Sequence, residues 1–141
     1  MEQNLKNHGK WVIGYHLISF LAILALIIGS IRSLIYSSEE NLYSTSLLVL
    51  VSFILLFMFY FLRAFALKAQ DRAIRAEEKL RYFILTGKSL SNKITTRQIV
   101  GLRFAPDDEF PALVIKAEKE NLSEKEIKLA IKNWKPDTYR V

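Results

Sequence analysis

Hydrophobic and polar positions divide this chain into two unlike halves. From Trp11 to Ile31 there are 21 residues without Asp, Glu, Lys or Arg. A second charge-free stretch runs from Asn41 to Leu62, with the apolar block LLVLVSFILLFMFYFL beginning at Leu47. About 20 helical residues cross a hydrocarbon core at roughly 1.5 Å per residue, so both stretches predict transmembrane helices. The first is longer than the ~7–15-residue apolar region of a signal peptide, and no A-x-A-like site follows it. It is expected to be a retained anchor.

No Pro or Gly interrupts the pattern after Leu62 until Gly87, which is placed to end a helix. The second span is therefore expected to continue as a helical stalk. Asp71 precedes Arg75 by four residues and Glu77 precedes Arg81 by four, a spacing that supports helix. Along the stalk Phe59, Leu62, Ala66, Ala69, Ala73, Ala76, Leu80 and Phe83 recur in steps of three and four. That spacing describes a heptad seam, and its alanines imply close approach of another helix. Two partners satisfy it: the same seam of a second copy, or the downstream helices folding back.

Beyond the polar stretch Lys88–Lys93, three short amphipathic segments follow. The first takes Thr95 or Thr96 as N-cap and presents Ile99, Leu102 and Phe104. The second starts near Asp107–Glu109, tolerates Pro111 in its first turn, and presents Phe110, Leu113, Val114 and Ala117. The third opens with the capping box Ser123–Glu126 and presents Ile127, Ala130, Ile131 and Trp134. The expected fold is all-α: a two-helix transmembrane hairpin, its second helix extended into the cytoplasm, then a cluster of three short helices resting on the stalk. The boundaries read as an N-tail over 1–10, spans over 11–35 and 43–64, an outer loop over 36–42, a stalk over 65–87 and a helical domain over 94–141.

Charge fixes the orientation. Of the 141 residues, 20 are Lys or Arg and 14 are Asp or Glu; 17 of the former and 11 of the latter lie from Arg63 onward. Lys6 and Lys10 precede the first span, Arg63, Lys68, Arg72, Arg75, Lys79 and Arg81 follow the second, and the connection holds only Arg32. The positive-inside rule then puts both termini in the cytoplasm. Trp11 and Tyr15 mark one interface, Tyr36 and Tyr43 the outer one. Arg63, Lys68, Arg72 and Arg75 form a candidate surface for anionic lipid headgroups or a protein partner, with Trp134 and Tyr139 as further candidates. A flank that merely sets orientation explains the same charges.

Within the first span Ala22, Ala25, Gly29 and Ser33 share one helix face, a ridge suited to packing in lipid against the second span or a second copy. His16 lies near the inner headgroups with no Asp or Glu in either span, so an interfacial or interhelical hydrogen bond is expected of it rather than proton relay.

Candidate chemistry changes the picture little. There is no cysteine, and His8 and His16 stand without an HxxxH or HxxE partner, so no metal or cofactor is expected. Asp107, Asp108 and Glu109 fit helix capping better than a cation loop. Lys125, Lys128 and Lys132 fall on one polar face of the last helix, but Glu124 and Glu126 sit among them, so nucleic acid is not the expected partner. No phosphate-binding or nucleophile motif occurs, and an enzyme is not expected.

The segments QNLKNHGKW, FALKAQDRAIRAEEKLRYFILTGK, RQIVGLRFAPDDEFPAL and AIKNWKPDTYRV together resemble a family of small two-span bacterial membrane proteins labelled only as a domain of unknown function. The resemblance covers nearly the whole chain and implies a bacterial cytoplasmic membrane. It brings no activity, substrate or site residue. The expected role is a membrane-tethered interaction or scaffold module. The alternatives are an oligomeric pore or auxiliary transport subunit and, more weakly, a membrane-attached nucleic-acid binder.

Overall fold

A computed structural model describes Asn4, Asn7 and residues 9–137, so the expectations placed on Lys6, His8 and Tyr139 lie outside the described residues. Every regular element among the described residues is helical. A π-helical turn, Gly14–Ser19, leads into α1, Phe20–Ile35; a 3-10 turn, Glu39–Asn41, leads into α2, Leu42–Thr86; α3 is Thr96–Leu102, α4 is Phe110–Lys119 and α5 is Glu124–Ala130. The chain forms two compact units, one over Trp11–Ala66 and a second that takes in the described residues before Trp11 and those from Leu67 onward.

In the first unit α1 and the start of α2 meet through small polar groups. Ser30 and Ser52 are buried, and their hydroxyl oxygens lie 3.4 Å apart. Each hydroxyl also donates within its own helix, Ser30 to the Ile27 carbonyl at 3.0 Å and Ser52 to the Val49 carbonyl at 2.7 Å. Near the start of α1 the Tyr15 hydroxyl donates to the Phe59 carbonyl, and the two rings stack 4.4 Å apart. The small-residue ridge is not the face the two helices share: Ala22, Ala25, Gly29 and Ser33 are all exposed, and a Cβ added at Gly29 would meet nothing within 4 Å. With each hydroxyl proton given to its own helix, the two serines supply a small, internally satisfied contact between the helices.

His16 makes its hydrogen bond within its own segment rather than between helices. Its Nδ1 lies 3.1 Å from the Val12 amide and 3.0 Å from the Val12 carbonyl, and its ring stacks on Trp11 at 4.6 Å. The histidine thus serves the preceding turn of its own chain, while its neighbour Tyr15 makes the interhelical bond. Trp11, Tyr36 and Tyr43 are exposed. By length and composition both apolar helices are able to cross a membrane, and only 6% and 11% of their most apolar stretches is buried.

The second unit has a core of its own. Ile74 and Tyr82 of α2 join Leu90, Ile94, Ile99, Leu102, Phe110, Leu113, Val114, Ala117 and Ile127. The downstream helices therefore fold onto α2. Gly87 ends α2 at φ +69°, its amide donating to the Phe83 carbonyl at 2.8 Å, a conformation that suits glycine. α3 starts at Thr95 and α5 at Ser123, each with both hydrogen bonds of a capping box. Gln98, the partner of Thr95, also donates from Nε2 to the Leu122 carbonyl at 2.9 Å, tying the start of α3 to the turn after α4. α3 and α5 meet at Gly101, where an added Cβ would lie 3.1 Å from the Glu124 carbonyl oxygen and 3.3 Å from Ile127 Cγ2. Gly101→Val is expected to cost about 2 kcal/mol by overpacking, read as a lower urea midpoint of the second unit.

α5 stops earlier than the Ile127–Trp134 periodicity suggests. Ile131 is already extended, with φ −70° and ψ 124°, and the strand-free segment after it is held from outside. The Lys135 amide donates to the Phe104 carbonyl at 2.8 Å, and Trp134 stacks on the fully buried Phe104 ring at 4.5 Å.

Candidate functional site

α2 is the element that carries the candidate surfaces, and its three sides differ in kind. One side holds the rest of the second unit. Ile74, Glu78 and Tyr82 are buried there, with Arg81 beside them. Arg81 Nη2 donates to the Ala105 carbonyl at 2.7 Å, Nε donates to Asp107 Oδ1 at 2.7 Å, and Nη1 donates to Glu78 Oε2 at 3.0 Å. Its guanidinium also lies 4.3 Å from the centre of the Phe110 ring, whose plane crosses Tyr82 at 70°. One planar cation thus clamps the turn between α3 and α4 to α2. Sequence spacing pairs Arg81 with Glu77; the folded chain gives it Glu78 and Asp107 instead.

Burial pushes the Glu78 carboxyl above the ordinary carboxylate range, with the Arg81 charge and hydrogen bond pulling the other way. The hydrogen bond from Arg81, then its charge, holds Asp107 below that range. Glu109 is lowered chiefly by the Lys132 amide, with further donation from the amide and side chain of Asn133. Glu126 is lowered by its capping partner Ser123. The acidic triple before α4 is therefore only loosely a capping feature: Asp107 grips Arg81, and Glu109 grips the segment after α5 without capping its own helix. No group of three or more His, Asp or Glu able to hold a metal occurs among the described residues.

These shifts fix a pH dependence. A lowered carboxylate stabilises the folded chain fully above its unfolded pKa, and that contribution is lost as pH falls through the folded value. Glu78 acts in the opposite sense, since protonation removes a buried charge. With three lowered groups against one raised, the second unit is expected to lose thermal stability as pH drops below about 4. A melting series on wild type and Glu109→Gln checks this, and the variant should show a shallower acid loss.

The second side of α2 is basic. Lys68, Arg72 and Arg75 are exposed and follow one another at i, i+4 and i+7, and exposed Lys79 extends the same stripe. Arg63 is half-buried and belongs to the first unit. Of the residues expected to face lipid or a partner, Lys68, Arg72 and Arg75 thus stand on one exposed stripe of the second unit.

The third side is the seam. Ala69, Ala73, Ala76, Leu80 and Phe83 are all exposed, Leu80 at 60% and Phe83 at 53%, whereas Ala66 is half-buried. The folding-back of the domain does not use this seam, because it binds the neighbouring Ile74–Glu78–Tyr82 side. The two arrangements set out as alternatives in the sequence are compatible on separate faces.

Two other candidate residues make contacts within the second unit. Lys128 is buried, pairs with Glu124 at 2.6 Å and sits 5.4 Å from the Phe104 ring centre, so the polar face of α5 holds no row of three free lysines. Trp134 is half-buried against Phe104.

The structure therefore defines an all-helical protein in which two long apolar helices come first and three shorter helices follow. The chain belongs to a family of unknown function (DUF6526), which it matches over residues 1–141. No curated protein and no solved structure matches it.

Proposed function

We propose that this chain is a membrane-tethered interaction module. The apolar hairpin anchors it in a bacterial cytoplasmic membrane with both termini inside, and α2 with α3–α5 presents a binding surface in the cytoplasm. The observation that carries this reading is a contrast in cover. The two apolar helices bury only 6% and 11% of their most apolar stretches, while the second unit buries a core of its own and carries exposed Lys and Arg beside a limited apolar seam. Lipid is the solvent that suits the first, and the Lys/Arg excess after α2's apolar part sets the direction.

The exposed Lys68–Arg72–Arg75–Lys79 stripe supplies the surface for acidic lipid or an acidic partner. Ser52, the small polar group in the middle of the second apolar stretch, is turned onto Ser30 and supports packing rather than a pore lining. The reading is tested by deleting residues after Gly87 and comparing what crosslinks in the membrane. Loss of the recurrent partners supports it; an unchanged set of partners and an unchanged lipid preference removes it.

A further inference from the structure

The seam on α2 is an unusual surface for a polar domain to leave uncovered. In heptad terms Ala73 and Leu80 take one core position, and Ala69, Ala76 and Phe83 take the other. Ile74, Glu78, Arg81 and Tyr82, which hold the domain, all fall on the outer positions of the same heptad. The positions that flank the seam are exposed on both sides: Arg72 and Lys79 on one, Glu77 and Ile84 on the other. The domain thus occupies the back of α2 and leaves the seam open from Arg72 to Ile84, with Ala69 exposed before it.

We propose that a second copy of this chain covers the seam, with the two α2 helices parallel. The proposal rests on the membrane-tethered reading, because insertion through the hairpin gives every copy the same direction. Charge decides in favour of self-association. In a parallel pair, a flanking residue of one helix faces the opposite flank five residues further along its partner. Arg72 and Glu77 stand at that separation, so two symmetric Arg72–Glu77 pairs bracket the alanine layers. In the antiparallel register that sets Ala73 against Ala76, Arg72 meets Lys79 instead, and like charges oppose it. The alanine layers admit close backbones, and Leu80 and Phe83, with Ile84 beside them, close the end of the seam with bulk. A stretch of lipid offers no such complement to a seam bordered by charges.

The chain has no native cysteine, which makes the test direct. Single variants Ala69→Cys, Ala76→Cys, Arg75→Cys and Leu85→Cys of the full chain are oxidised in isolated membranes. A parallel pair brings each core residue against itself, so same-site disulfides at Ala69 and Ala76 should exceed those at Arg75 and Leu85. Adding Glu77→Arg to Ala76→Cys should cut the disulfide yield roughly fivefold, and adding Arg72→Glu as well should restore it. Equal yields at all four positions, no self-crosslink, or a crosslink to an unrelated protein at the seam overturns the proposal. Failure of the tethering reading shows separately, as release of the chain by alkaline carbonate.

Discussion

Replacing Arg81 with Met destabilises the second unit by about 2–4 kcal/mol at neutral pH, a little under the ~3–5 kcal/mol for a wholly buried pair because Asp107 is exposed. The side chain is 13% exposed and serves Glu78, Asp107 and the Ala105 carbonyl together. Methionine fills the space over Phe110 and supplies none of the donors. Glu78 is left buried and charged, and the Ala105 carbonyl loses its donor. The sign of the pH dependence separates this cause from lost packing. A carboxyl whose folded pKa is raised stabilises below its unfolded value and loses that contribution as pH rises through the folded one. Without Arg81 the Glu78 pKa rises further, so the deficit should shrink as pH falls from 7 towards 5. The double variant Arg81→Met with Glu78→Met should recover part of the loss, and a deficit that ignores both pH and Glu78 contradicts this account. Urea unfolding at two pH values is the measurement.

Phe104→Ala is the second large loss, about 3–5 kcal/mol, as for other fully buried aromatic truncations. Phe104 has no exposed surface, stacks on Trp134 at 4.5 Å and lies under the Arg103 guanidinium at 4.6 Å. Its backbone carbonyl also receives the Lys135 amide. Removal of the ring opens a cavity and takes away the surface that seats the segment after α5. In a Trp11→Phe background, where Trp134 alone reports, its emission should move to longer wavelength before the unit unfolds. Unfolding without that earlier shift would mean the segment is seated by Glu109 alone, through Lys132 and Asn133.

How far the sequence reaches is clear from particular residues. The capping box at Ser123, the helix end at Gly87, Pro111 in a first turn and the buried face Phe110–Leu113–Val114–Ala117 were all legible, because each depends on neighbours within one or two turns. The two apolar helices were legible from length and composition, which need no partner. What escaped was the choice among faces. The α2 seam shows strongly in the sequence because it repeats over several heptads, yet the domain packs on Ile74 and Tyr82, a sparser apolar pair backed by the Arg81 clamp. Ala22–Gly29 looked like the packing ridge of α1, and the Ser30–Ser52 contact took that role one position away. Glu77–Arg81 follows the helical rule, but Asp107 comes from 26 residues downstream and no local pattern announces it. The π-helical turn at Gly14–Ser19 likewise left no mark that periodicity could pick up. Of the candidate surface, the stripe Lys68–Arg72–Arg75 was legible as a helical repeat, and Lys79 belongs with it.

The claim on which the rest depends is that the hairpin spans the bilayer with α3–α5 inside. Ser38→Cys in the short connection and Ser89→Cys after α2 report on it directly, given a chain without cysteine. An impermeant maleimide is added to sealed inside-out membrane vesicles, which are then washed with alkaline carbonate. The account predicts that both variants stay in the membrane, that Ser89→Cys is labelled, and that Ser38→Cys is labelled only after the vesicles are opened. Release of the chain by carbonate, or equal labelling of both sites in sealed vesicles, would contradict it.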